Sequence, residues 1–78
     1  MNEVLFYTDD FRAAEQEINQ LAGSVRLRLT SQAFVAALPS AEVPTLAHCD
    51  TRPKGPIDDE TGRLVGIWRA SNVPRAPT

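Results

Sequence analysis

The feature that most constrains the fold of this chain is the alternation of apolar and polar residues that begins at position 25. The alternating residues are, in order, Val25, Arg26, Leu27, Arg28, Leu29 and Thr30. A period of two is typical of a strand with one buried and one solvent-facing side. A second apolar run occupies residues 33–38, so a β-hairpin with its turn at Ser31 and Gln32 is predicted.

The register of this hairpin follows if Ser31 and Gln32 form a two-residue turn. The opposed pairs would be Leu29 with Phe34, Leu27 with Ala36, and Val25 with Leu38. All three apolar pairs then share one face, and the other face carries Arg26 and Arg28 towards solvent. Ser-Gln is not a favoured pair for such a turn, so a wider turn or a bend in one long strand is the alternative.

The segment before the hairpin predicts a strand followed by a helix. Residues 3–7 (EVLFY) are β-formers and favour a first strand. A helix is predicted over residues 9–22 because apolar side chains recur at helical spacing, at Phe11, Ala14, Ile18 and Leu21. Thr8 or Asp9 would cap its start, and Gly23 would end it in the left-handed region.

The segment after the hairpin is richer in proline and glycine. A short helix or a single turn is predicted to start at Pro44, and residues 50–62 are predicted to be a loop with turns. Residues 63–70 favour a final strand, since its apolar residues are β-formers and Gly66 suits a bulge. Residues 71–78 are expected to be a flexible C-terminal tail.

Together these elements predict an α+β fold, a two-layer sandwich in which one main helix packs on an antiparallel sheet. The order β-α-β-β-(α)-β favours a ferredoxin-like arrangement, with the second face of the sheet open. A length of 78 residues suits one small domain, which we place at residues 1–70.

Charge and composition exclude several classes of function. The net charge of −2 gives no bulk attraction to nucleic acid or to an anionic membrane. No apolar run approaches the roughly 18 residues of a membrane span, and the N-terminus lacks the basic region of a secretory signal. One cysteine cannot form an intramolecular disulfide, so a cytoplasmic location is expected.

The only cluster of reactive side chains is His48-Cys49-Asp50. Adjacent residues point apart, so His48 is poorly placed to activate Cys49 as a nucleophile. The acidic run 58–60 lacks the ligand spacing of a calcium loop, and no glycine-rich phosphate loop is present. No catalytic residue, cofactor or metal site is therefore predicted; a small enzyme or ligand-binding protein centred on Cys49 is the alternative.

The predicted function is a non-catalytic protein-interaction domain that binds a partner through the open sheet face. The candidate partner-binding residues are Tyr7, Arg26, Arg28, Val35 and Trp68. Stacking of single-stranded nucleic acid would need two or three aromatic residues on this face, and only Tyr7 qualifies. A subunit that forms homodimers through a sheet edge or face is a further alternative.

Residues 3–46 resemble a known family. The segments that carry the resemblance are Leu21-Ala22-Gly23-Ser24-Val25, the strand to Thr30, Ala33-Phe34-Val35-Ala36-Ala37-Leu38-Pro39, and Glu42-Val43. The pattern is similar to the subtilisin propeptide, or proteinase inhibitor I9-like, domain. That resemblance implies a ferredoxin-like fold and a role as an inhibitor or folding aid of a subtilisin-like protease. Arg26, Arg28 and Val35 would then face the protease, and residues 73–78 would lie in its active-site cleft.

Overall fold

The computed structural model describes residues 2–72. Its elements are, in chain order, β1 (Asn2–Thr8), α1 (Phe11–Gln20), β2 (Ser24–Thr30), β3 (Ala33–Leu38), β4 (Cys49–Asp50) and α2 (Asp59–Asn72). The strands form one antiparallel four-stranded sheet in the order β2-β3-β1-β4. The α+β class is as predicted, and so are β1, α1, β2 and β3.

The two helices cover opposite faces of this sheet. Ala14 and Ile18 of α1 pack with Phe6 and Phe34 in one apolar cluster. Val65 of α2 packs in a second cluster, which contains Leu5, Tyr7, Ala33 and Val35. β3 is therefore buried on both faces over its whole length. The predicted two-layer sandwich with one open face is wrong, because α2 forms a third layer.

The second helix replaces the predicted final strand at residues 63–70. The Asp58 carboxylate accepts a hydrogen bond of 2.7 Å from the backbone N–H of Thr61, which caps the start of the helix. Asp59 and Glu60 lie in the first turn, where negative charge complements the helix dipole. Thr61, Val65 and Trp68 follow at helical spacing, so they share one face. These local signals outweigh the strand propensity of the apolar residues.

The region between β3 and α2 also differs from prediction. Residues 39–48 form bends and irregular backbone instead of a short helix, since Pro44 disfavours helical geometry. The short β4 follows and pairs with the end of β1, Tyr7 opposite Asp50 and Thr8 opposite Cys49. The ferredoxin-like arrangement is not confirmed. Of the predicted tail, residues 71–72 belong to α2, and residues 73–78 lie outside the described part of the chain.

The hairpin turn is at the predicted place, but the register is not as predicted. Thr30 pairs with Ala33, so Ser31 and Gln32 connect the two strands. Beyond the turn, β2 has two irregularities, and the observed pairs are Arg28 with Phe34, Leu27 with Val35, and Val25 with Ala36. Each irregularity adds one residue to β2, which moves the following side chains to the other face. Arg28 thus lies on the α1 side, and Leu27 lies on the α2 side.

The two ends of α1 are set by residues other than those predicted. Asp10 is the N-cap, and its carboxylate accepts from the backbone N–H of Ala13 at 3.2 Å. At the other end, Ala22 takes the left-handed conformation with φ of 60°, whereas no glycine in the described residues has a positive φ. Gly23 is required for a different reason. A Cβ at Gly23 would lie 2.7 Å from the carbonyl oxygen of Ala37.

Candidate interaction surface

The structure does not bring the five predicted partner-binding residues together on one exposed surface. Tyr7 is 8% exposed and Val35 is fully buried, because both lie on the sheet face that α2 covers. Trp68 is half-buried on α2 and packs against the same cluster. Only Arg26 and Arg28 are exposed to solvent. The predicted open sheet face is therefore not found, because α2 covers it.

Arg28 packs against the aromatic residues at one end of the α1 cluster. Its guanidinium carbon lies 4.2 Å from the centre of the Phe11 ring, which is the geometry of a cation–π contact. The Phe11 ring meets Phe34 edge-on, and Phe34 stacks on Phe6, each with a centroid separation of 5.5 Å. One side of Arg28 is thus used for packing, while the residue remains exposed.

The outer edge of β2 is an accessible edge of the sheet. β2 is the last strand on its side, and within residues 2–72 no strand pairs with its outer edge. We call the exposed residues of this strand the β2 edge; they are Ser24, Arg26, Leu27 and Arg28. Leu27 is 48% exposed, although the alternation predicted it to be buried. The irregularities of β2 that turn the Leu27 side chain to the other face cannot be recognised in the alternation of apolar and polar residues.

A partly buried polar network joins α2 to the hairpin. The Thr61 hydroxyl lies 2.6 Å from that of Thr30 and 3.2 Å from Gln32 Oε1. Gln32 Oε1 also accepts from the backbone N–H of Asp58 at 3.1 Å. Hydrogen bonds from Thr61 lower the pKa of the Asp58 carboxyl, the side chain contributing more than the backbone. The start of α2 is therefore fixed to the turn between β2 and β3.

A second set of hydrogen bonds fixes the irregular segment 39–48 to the sheet and to α1. The Glu17 carboxylate accepts from two consecutive backbone N–H groups, those of Ala47 at 2.8 Å and of His48. The Thr8 hydroxyl donates to the carbonyl oxygen of His48 at 2.7 Å. Glu17 and Thr8 thus position the chain immediately before Cys49.

The environment of Cys49 suppresses thiolate chemistry. Cys49 is 2% exposed, and burial raises the pKa of its thiol to about 11, with further contributions from the carboxylates of Glu17 and Asp50. The thiolate is the nucleophilic form, so at neutral pH this sulfur is a poor nucleophile. His48 is exposed, and its backbone is bound to Glu17.

The remaining concave regions carry little convergent chemistry. A pocket of about 330 Å³ lies at the end of the sheet, lined by Tyr7, Thr8, Asp9, Gln32, His48 and the loop 53–57. Among the described residues, no group of three or more His, Cys, Asp or Glu side chains could hold a metal ion. None of the helices within residues 2–72 is long and apolar enough to cross a membrane.

The chain was compared with known protein families, curated proteins and solved structures. No protein-family model, curated protein or solved structure matches the chain. The resemblance of residues 3–46 to the subtilisin propeptide domain therefore stays a prediction.

Proposed function

We propose that this chain is a small non-catalytic interaction domain that binds an extended, acidic segment of a partner protein along the β2 edge. The observation that carries the proposal is the composition of this edge. It combines a strand edge that pairs with no other strand of residues 2–72, two exposed arginines and the half-exposed Leu27.

The chemistry of an unpaired strand defines the shape of the occupant. An edge strand presents free backbone N–H and C=O groups, which an extended peptide can pair with as an additional strand. Such pairing supplies affinity, while the side chains supply selectivity. Leu27 offers an apolar contact, and Arg26 and Arg28 offer guanidinium donors that suit carboxylates.

The same charges argue against a second copy of this chain as the occupant. If two β2 strands paired antiparallel about Leu27, Arg26 of each copy would lie opposite Arg28 of the other. Like charges directly opposite each other in a sheet are destabilising. A partner strand with acidic residues reverses the sign of this interaction. Charge complementarity therefore favours an acidic partner over self-association.

The test is an NMR titration with a synthetic peptide of alternating valine and glutamate. We expect shifts of the backbone amides of residues 24–30, and we expect them to weaken at high salt because exposed charges are screened. A peptide with lysine in place of glutamate should not bind. Arg26→Glu should weaken binding about fivefold, the effect of an exposed ion pair worth ~1 kcal/mol.

Arg12→Glu is the matched control for this titration. Arg12 is exposed on α1, and its replacement changes the net charge by the same amount as Arg26→Glu. Equal weakening by both variants, binding of the lysine peptide, or shifts outside the β2 edge would contradict the proposal. A doubled mass of the unmodified chain in solution would favour the homodimer instead.

A role as a propeptide-like inhibitor is a narrower form of the same proposal. It is supported by the order β1, α1, β2, β3, which agrees with the resemblance over these residues. Val35 lies beneath α2, so the contact with a protease would use Arg26 and Arg28. The intact chain should then slow a subtilisin-type protease acting on a chromogenic substrate. Rapid digestion of the chain without inhibition would exclude this role.

A further inference from the structure

We infer that α2 is a displaceable cover over an apolar docking face, and that its replacement is an amphipathic helix of a partner. The docking face comprises the sheet residues of the second cluster, which are Leu5, Tyr7, Ala33 and Val35. This inference rests on α2 and not on the β2 edge, so it stands or falls independently of the proposed function.

Two glycines in the interior of α2 have no steric reason to be glycine. A Cβ at Gly66 would meet no atom within 4 Å, and a Cβ at Gly62 would meet only Ile57 Cδ1 at 3.8 Å, an ordinary contact. Neither glycine has a positive φ. Each of them nevertheless lowers the equilibrium constant for helix formation about four- to fivefold relative to alanine. α2 is thus less stable than its surroundings would permit.

Few apolar side chains of α2 make the contact with the docking face. Val65 is the one buried apolar residue of α2 among its described side chains, Trp68 is half-buried, and Ile67 is 52% exposed. The hydroxyl of Thr61 makes its hydrogen bonds at the first turn. The face beneath is almost entirely apolar, and each of its four residues is at most 8% exposed. Release of α2 would therefore uncover a continuous apolar surface.

The contacts of α2 with the sheet indicate which residues a replacing helix would need. A hydroxyl residue in the first turn reaches Thr30 and Gln32, and apolar residues four and seven positions later reach the docking face. An extended segment adds to a free strand edge and not to a sheet face, and β3, which supplies Ala33 and Val35, is already paired on both of its edges. A helix with this pattern and with better helix formers in place of the glycines would bind in the same way.

The probe is a synthetic peptide of residues 58–72 that carries Gly62→Ala, Gly66→Ala and Trp68→Phe. The chain has a single tryptophan, so its own Trp68 then reports the position of α2. Because the tethered helix competes at an effective concentration of about millimolar, peptide at that level is needed. We expect a saturable red shift of Trp68 emission and loss of hydrogen-exchange protection in residues 61–70, with β3 unchanged. The same peptide with Val65→Asp should have no effect.

The full-length chain with Gly62→Ala and Gly66→Ala should need roughly 15- to 30-fold more peptide for the same shift. Gly55→Ala is the matched control, since a Cβ there also meets nothing within 4 Å and the residue lies in the loop before α2. It should leave displacement unchanged. An unshifted Trp68 emission, or exchange of the α2 amides only through global unfolding, would overturn the inference. So would equal resistance from Gly55→Ala.

Discussion

The hydroxyl oxygens of Thr30 and Thr61 lie 2.6 Å apart and join the end of β2 to the first turn of α2. Thr61 Oγ1 also lies 3.2 Å from Gln32 Oε1, and either threonine can supply the proton shared by the two hydroxyls. Thr30 in turn accepts from the backbone N–H of Gln32 at 3.1 Å. Every polar group of this fully buried threonine is therefore used, and the seating of α2 depends on it.

Thr61→Val should destabilise the fold by about 1–3 kcal/mol, because it removes the hydrogen bonds that the buried Thr61 hydroxyl makes with Thr30 and Gln32. The free energy of unfolding, measured in urea, gives the value. Thr51→Val, at an exposed threonine, is the control and should be nearly neutral. The double variant Thr30→Val/Thr61→Val should cost less than the sum of the single variants. Strict additivity would show that the two hydroxyls do not interact.

Acid should weaken the capping of α2 by Asp58. The pKa of this carboxyl lies below its ordinary value of 3.8 because Thr61 donates hydrogen bonds to it. Its contribution is therefore present above the ordinary value and is lost as the pH falls through the folded-state pKa. In Asp58→Ala, the unfolding free energy should depend less on pH in this acidic range. An unchanged pH profile in the variant would count against the cap.

The sequence predicted those elements whose signals are local. β1, α1 and the hairpin turn follow from propensity, helical spacing and two turn residues. α2 was missed because Val65 and Trp68 are β-formers, whereas the informative signal was Asp58 three positions before Thr61, with two acids between them. A strand also needs a neighbour to pair with, and this requirement cannot be evaluated from a single segment.

The candidate site was predicted less well, because a bulge is not visible in an alternating pattern. The two extra residues of β2 reverse the side chains that lie between them, which exchanged the expected directions of Leu27 and Arg28. Tyr7 and Val35 were lost from the site for another reason, since the cover formed by α2 was not foreseen. Of the five predicted partner-binding residues, Arg26 and Arg28 are the two that are exposed in the structure.

Glu17→Ala should loosen the irregular segment before β4. The carboxylate accepts from the backbone N–H groups of Ala47 and His48. Its removal should cost about 1.5 kcal/mol, the low end for hydrogen bonds to a charged group, because these bonds are exposed to solvent. Hydrogen exchange of these two amides should become faster. Glu15→Ala removes an exposed carboxylate from the same helix and is the control. Faster exchange in both variants would point to a general effect on α1.

Cys49 should resist alkylation by iodoacetamide at neutral pH and should lose that resistance only in alkali. Burial and nearby carboxylates raise the pKa of its thiol from the ordinary 9.0 to about 11. The unfolded chain therefore ionises first, so stability should decline as the pH rises from 9 towards 11. Cys49→Ala should lack this part of the decline. Rapid alkylation of the folded chain at pH 7 would contradict the assignment.

Ala22→Gly and Gly23→Ala should change the stability of the fold in opposite directions. Ala22→Gly relieves a left-handed conformation with φ of 60° and should stabilise the fold by about 0.5–1 kcal/mol. Gly23→Ala should destabilise it by at least that amount, because the new Cβ would lie 2.7 Å from the carbonyl oxygen of Ala37 in β3. Thermal unfolding of both variants tests the pair. Destabilisation by Ala22→Gly would show that the end of α1 does not have this backbone geometry.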